Sequence, residues 1–337
     1  MTAQTKMDPV ELPHAPATPV DANGAPAFGA YCGECADVTW SRLDAPWARG
    51  PVWRLLHGKR WHYLSIAGPR VVLAFAVVDV GYAANAFVYL FDREARALVA
   101  DASVLGLPGF MAKVSHTADV GARTTWSSST VKLTLERTAA GWLVMARGPY
   151  LEIDATLDEA PAPTLCAIAR IERGVANCTH KMACLPVRGL ARAGSRRYDL
   201  DGHTAAIDHT YGLLARDTSW RWASAARADL ALNLSQGFNG AVENAVWHEG
   251  RLHAVGAAEI VYDASSTTGA WRIRTLDGAV DLTFRPEGQR RQDKDLFIAR
   301  SRYVQPIGTF SGTLRLPGGD VTVTDLAGVT EDHTARW

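Results

Sequence analysis

The chain has 337 residues, enough for two domains of about 150 residues or one large all-β body, and for a substantial core in either case. Its 35 Lys plus Arg balance 35 Asp plus Glu, so no overall field attracts nucleic acid or an acidic membrane surface. Five cysteines, an odd number in a long chain, suit reduced thiols better than a disulfide framework.

Residues 1–49 are rich in Ala and Pro and have no apolar run after a basic start. They predict a flexible segment, not a secretory signal. Within it, Cys32-Gly-Glu-Cys35 is a CxxC, which Cys178-Thr-His180 and Cys184 could join as zinc ligands. A single CxxC without a second close pair is a weak signal, so no metal is expected and the thiols are read as unliganded. The stretch VVLAFAVVDVGYAANAFVYLF comes nearest to a membrane span, but Asp79 and Asn85 interrupt it. The expectation is a cytoplasmic protein with no transmembrane segment and no nucleic-acid partner.

From residue 50 onward the pattern is short β-rich runs separated by turn signals. VKLTLERTAAGWLVMA alternates on both sides of a loop, RYDLDGHTAAI carries an Asp-Gly turn, and Pro317-Gly318-Gly319 must turn. Convincing amphipathic helices are few, and the eleven tryptophans, many in period-two contexts such as WHY and WRW, suggest aromatic-lined interiors. The class is all-β.

A faint internal repeat runs through these strands. Trp61 and Tyr63 match Trp220 and Trp222, and the same offset pairs Val71 with Leu230, Leu73 with Leu232, Phe75 with Leu234, Gly81 with Gly240 and Asn85 with Asn244. After a short gap a second offset pairs Leu143 with Leu296, Ala146 with Ala299, Arg147 with Arg300 and Tyr150 with Tyr303. Each half reads as an antiparallel meander. Meanders of that size close into barrels, which removes exposed edges and leaves an interior wide enough for a small apolar ligand. The expected layout is a barrel over 50–190 and a second over 191–337, joined near LPVRGLARAGSR.

The blocks KRWHYLSI, VVDVGYAANAFVYLFD, the Leu185-Pro186 pair, RYDLDGHTAAIDHTYG, RWASA, ENAVWHEGRLH, WRIRTLDGAVDLTF, FSGTLRL and GVTEDHTARW occur in an order that resembles the bacterial domain of unknown function 2804 family. More distantly, IDHTYG followed by WRW is similar to the Asp-His-Glu-aromatic-Gly segment and Trp-x-Trp of carotenoid hydratases. Thr210 stands where that motif has Glu. The likeness implies two fused lipocalin-like barrels, an architecture shared by tocopherol cyclases and some pericyclases.

Hydration, isomerisation or cyclisation of an isoprenoid or polyketide-like molecule needs a proton donor, an apolar cavity and π-faces, and no cofactor. Asp208 is the candidate acid if burial keeps it protonated, with His209 or Tyr211 orienting it and Trp220 and Trp222 lining the pocket. On an alternating strand, however, Asp208 shares a face with Thr210, whereas His209 and Tyr211 point the other way. Glu243 and Asn244, and in the first half Asp79, Tyr82 and Asn85, are polar interruptions of apolar strands and are read as ligand-binding candidates. The alternative is a non-catalytic carrier of a hydrophobic ligand, with Asp208 held in a salt bridge to Arg216 or Arg221. No GxSxG, HExxH or GxxxxGK[ST] is present, which disfavours the usual hydrolases, zinc peptidases and P-loop enzymes.

Overall fold

The computed structural model describes residues 11–296 and 299–337. Beyond one short helix, Pro51–His57, and a 3-10 turn, Gly240–Glu243, its regular elements are strands. They form two antiparallel sheets, and no described helix is long and apolar enough to cross a membrane. In spatial order the first sheet runs Ala97–Gly106, Ala84–Asp92, Val71–Asp79, Gly58–Ala67, Thr204–Leu213, Ala176–Ala193, Leu151–Leu157, Gly141–Gly148, Lys132–Thr138, Arg123–Ser127 and Ala112–Lys113. The second runs Arg251–Ala254, Ala245–His248, Leu230–Gly237, Asp217–Arg227, Gly319–Arg336, Ala299–Leu316, Val280–Leu296, Trp271–Thr275 and Ala258–Val261.

The two orders share one logic. Each half is a meander whose opening strand, Gly58–Ala67 or Asp217–Arg227, pairs with its closing strand, Thr204–Leu213 or Gly319–Arg336. The seam of each barrel falls after the fourth strand. Each encloses its own core: Leu64, Leu73, Phe75, Leu90, Leu135 and Ile153 in the first, and Leu232, Trp271, Leu282, Phe284 and Phe310 in the second. Burying each such side chain contributes about 1.5–3 kcal/mol, which is what wraps each sheet around its core. The all-β, two-barrel expectation therefore holds.

The repeat is half right. Gly58–Ala67 and Val71–Asp79 fall on Asp217–Arg227 and Leu230–Gly237 at the first offset, and these strands occupy equivalent places in the two sheets. The later pairs do not correspond. Leu143 lies within Gly141–Gly148, whose topological partner is Trp271–Thr275, while Leu296 ends a different strand. Long strands rich in Ala and Arg align by composition without being equivalent.

The join also moves. LPVRGLARAGSR lies largely inside the single 18-residue strand Ala176–Ala193. Its Pro and Gly mark a register shift between Met182 and Leu185 and a close approach at Gly189, where φ is 143° and a Cβ would sit 2.3 Å from the Asp154 carbonyl oxygen. The chain leaves the first sheet only between Leu213 and Asp217, so the segment carrying Asp208 belongs to the first barrel.

The expectation of a flexible residue 1–49 segment is corrected for residues 11–49; residues 1–10 lie outside the described residues. Gly29–Cys32 pairs with Leu165–Arg170, and Val20, Val38, Trp40 and Leu43 are buried against Cys166, Ile168, Cys178 and Leu213. The Trp40 indole donates to the Tyr211 carbonyl at 3.0 Å. Few but large apolar side chains dock a segment whose composition reads as loop.

The barrels meet along their outer faces. Tyr63, Ala74, Ala76 and Tyr89 of the first pack against Trp222, Ile307 and Val329 of the second. Polar links cross the same seam: Tyr89 donates to Gln305 at 2.6 Å, Arg93 grips both Glu287 oxygens, and buried Arg290 reaches Asp101 at 2.9 Å.

Candidate functional site

The strand Ala176–Ala193 alternates as Cys178, Thr179, His180, Lys181, and its neighbour Thr204–Leu213 as Asp208, His209, Thr210, Tyr211. Register places Thr179 beside Thr210, Lys181 beside Asp208, and Asp208 beside Tyr63. These side chains share one face, which looks across at the second barrel. His180, His209 and His62 fall together on the other face, with His62 and His209 stacked at 4.6 Å.

Between the barrels lies a cavity of about 220 Å³, lined by residues of both sheets. Its walls are aromatic: Trp61, Tyr63, Phe87, Trp220, Trp222, Phe238 and Tyr303. Tyr63 meets Trp222 edge-on at 5.4 Å, and Trp220 packs on His333 at 4.3 Å. Polar and charged groups from both barrels interrupt these walls, among them Lys181, Asp208, Glu243, Arg290 and Glu331. Lys181 Nζ lies 2.7 Å from Asp208 and 3.4 Å from Glu243, so one buried ammonium bridges the barrels between two carboxylates. Asp208 also accepts from Thr179 at 2.9 Å, Thr210 at 2.8 Å and the Trp61 indole at 3.2 Å.

Burial alone would raise the Asp208 carboxyl, but Lys181 and these donors reverse its sign and hold it below the usual carboxylate range. Burial likewise opposes the Lys181 charge, and Asp208 and Glu243 more than restore it, raising Lys181 above its ordinary value. Asp208 is thus a carboxylate and Lys181 an ammonium. The hydroxyls of Tyr63 and Tyr303 are both buried; that of Tyr63 lies near Ser65 and Tyr89, and that of Tyr303 has no hydrogen-bond partner. Burial raises both phenols well above the ordinary value, so both stay neutral O–H groups.

Of the residues singled out in the sequence, Asp208, Trp220, Trp222, Glu243, Tyr82 and Asn85 line this cavity. His209 and Tyr211 do not reach it. His209 turns its Nε2 to the Ser115 carbonyl at 2.9 Å, and its basicity falls to about 4 through burial and then His180. Tyr211 packs under the Arg60 guanidinium at 5.4 Å. The orienting groups at Asp208 are instead Thr179, Thr210 and Lys181, because neighbours along a strand face opposite ways. Asp79 is spent on Arg60 and the Gly81 N–H, and Asn244 on the Ser235 N–H and Gly256 carbonyl, so both are held structurally. The cation at Asp208 is Lys181; Arg221 is committed to Asp332 at 3.0 Å.

Sequence reasoning missed Lys181, Tyr303 and the part played by Glu331. The signal for Lys181 was a lone cation inside the apolar run NCTHKMACL. Glu331 is the second barrel's counterpart of Asp208. Asp208 sits beside Tyr63 and Glu331 beside Trp222, residues that the repeat equates. Each carboxylate takes an indole N–H from the preceding equivalent position, Trp61 to Asp208 and Trp220 to Glu331 at 2.8 Å. Gln305 completes Glu331 at 3.0 Å. Two indole–carboxylate pairs, one from each barrel, thus line one cavity. The side chains with metal-ligand chemistry, Cys35, Cys166, Cys178 and His180, include two on the opposite face of Ala176–Ala193.

Solved structures share this architecture. A protein from Nitrosomonas europaea described as a candidate AttH superposes with a TM-score of 0.56 at 14% identity, over 86% of this chain and 96% of its own. CghA, crystallised with Sch210972, gives 0.56 at 11% identity over 97% of both chains. Kievitone hydratase from Nectria haematococca gives 0.46 at 10% identity, over 95% and 98%. At such identities the first two likenesses are ones of fold. No curated protein matches the sequence. The model of one family, described as a domain of unknown function, matches residues 12–337, and the chain belongs to that DUF2804 family.

Proposed function

We propose that the protein binds an apolar small molecule, isoprenoid or polyketide-like, between its two barrels and catalyses its isomerisation, hydration or cyclisation. The observation that carries this reading is the cavity itself: aromatic walls around a buried Lys181 ammonium, with Tyr303, whose hydroxyl has no protein partner, among the lining residues. Buried donors without acceptors are costly unless a ligand oxygen supplies one. Lys181 has three N–H donors, and Asp208 and Glu243 account for two. A ligand carbonyl that accepted from Lys181 would be polarised by a fixed, buried ammonium. Asp208, ionised, is no longer the acid in this scheme; it holds Lys181 in place. The crystal structure of CghA holds a bound compound, which is consistent with a small-molecule role for this fold.

One observation favours a second reading, a carrier: the carboxylate of Asp208 is fully engaged by four donors and needs no ligand. The two separate on Tyr303→Phe, which removes a hydroxyl without protein partners and leaves the packing intact. Protein incubated with a cell lipid extract, repurified and analysed by mass spectrometry should yield a retained compound and a transformed one. Under the catalytic reading Tyr303→Phe lowers turnover about tenfold or more, in line with ~1–3 kcal/mol for a lost buried hydrogen bond. Retention with no product in wild type, unchanged by Asp208→Asn, would establish the carrier instead.

A further inference from the structure

We infer that Cys35, Cys166, Cys178 and His180 form a closed structural metal site, with zinc as the metal, that fastens the N-terminal segment to the first barrel. The four side chains are fully buried, and one ligand atom from each lies within 4.8 Å of all the others. Cys35 Sγ and Cys166 Sγ are 3.6 Å apart. Bonds of about 2.3 Å to a tetrahedral zinc put two sulfurs about 3.8 Å apart, whereas a disulfide needs about 2.05 Å. The pair is therefore spaced as two ligands of one ion.

The backbone arrives at this geometry from separate directions. Leu165–Arg170 and Ala176–Ala193 are paired so that Cys166 stands opposite His180, while Cys178, two residues earlier, shares the His180 face. Cys35 comes over the top from the N-terminal segment, its backbone nitrogen 3.0 Å from His180 Nε2. A second, independent sign is His180 itself. Its ring is wholly buried and its Nδ1 has no hydrogen-bond partner, a cost that proteins rarely leave uncompensated. Three thiols and an imidazole are the Cys₃His donor set of closed zinc sites, and a site with four protein ligands and no water access is structural, not catalytic. The Cys-x-x-Cys spacing is misleading here: Cys32 and Cys184 stand outside the cluster, and the remaining ligands are brought in by strand pairing.

The site touches the pocket through one strand. Cys178 and His180 alternate with Thr179 and Lys181, which hold Asp208, so a metal fixing one face fixes the register of the other.

The test is metal analysis of the full chain purified under reducing conditions without added metal or chelator. Inductively coupled plasma mass spectrometry should find about one zinc per chain, released by a mercurial thiol reagent in step with the titration of three thiols. Cys32→Ser and Cys184→Ser should keep the metal, whereas Cys166→Ser and His180→Ala should lose it. Should the latter two fail to fold, the controls and the wild-type release decide alone. Cobalt(II) exchanged into the wild-type protein should show the thiolate charge-transfer and tetrahedral ligand-field bands of a sulfur-rich site. Wild-type protein without metal that binds no added zinc, or loss of the metal in folded Cys32→Ser or Cys184→Ser, would overturn the site.

Discussion

Asp208 shows how far one ion pair sets the chemistry of this pocket. Burial in the apolar seam pushes its carboxyl up, and Lys181 at 2.7 Å, helped by Thr210 and Trp61, brings it below the ordinary carboxylate value. Asp208→Asn removes the nearer of the two carboxylates on Lys181 and leaves Glu243 at 3.4 Å. It is therefore expected to cost about 1–3 kcal/mol, seen as a lower denaturation midpoint in urea at pH 7. Because the folded-state pKa lies below the unfolded one, this stabilisation is complete above the ordinary carboxylate range, near pH 4, and is lost as pH falls through the lower folded value. The acid limb of the stability curve should accordingly be shallower in Asp208→Asn than in wild type. Lys59 gives the opposite sign. Burial first, and then Arg216, brings it from 10.5 to about 8, so the unfolded chain binds more protons between those values. Its contribution to stability rises with pH across that window, and Lys59→Met should flatten the rise; an unchanged slope would rule Lys59 out as its source. The alternation of Asp208 and His209 was legible from the strand pattern alone. The identity of the matching carboxylate was not: Asp-His-Thr recurs at 332–334, yet register turns Glu331 inward and leaves Asp332 to Arg221 and Tyr262. A one-residue slip between sequence likeness and pairing changes the face of every side chain. Replacing Glu331 by Gln should thus weaken ligand retention, while Asp332→Asn should leave it unchanged.

At the level of elements, the strands were readable and their partners were not. Period-two runs and Asp-Gly turns mark where strands lie, but nothing local to Thr204–Leu213 says that it closes the first barrel instead of opening the second. Pro186 and Gly189 look like a linker because both punctuate chains; here they sit within a long, bent strand whose neighbours tolerate them. The N-terminal segment failed as a prediction for a related reason. Val20, Val38 and Trp40 are too sparse to form any periodic face, and their burial depends on a surface supplied by strands more than a hundred residues away. Trp40 is 1% exposed and its indole is bonded to Tyr211, so Trp40→Ala should cost about 3–5 kcal/mol. A truly flexible segment would show no change in thermal midpoint on that substitution.

The whole molecule places its cavity where the two barrels touch, not inside either one. The sequence supported two barrels and an apolar ligand site, and an interior location followed from the usual use of barrels. It could not locate the site because the opening strands are buried on both faces. Leu64, Leu73 and Phe75 point into the first core, while Tyr63 and Ala76 point to the seam. Period two separates these sets without saying which faces a barrel interior. Adjacent residues of one strand can therefore test the arrangement. Phe75→Ala opens a cavity in the first core and should cost about 3–5 kcal/mol of stability while leaving ligand retention per folded molecule unchanged. Ala76, on the cavity wall, gives the converse: Ala76→Phe fills open space, so thermal stability should move little while retention falls sharply. Were the ligand held inside the first barrel, the two results would exchange. Retention assayed on both purified variants beside their melting curves reads that difference directly, because a seam site and a core site lie on opposite sides of the same strand.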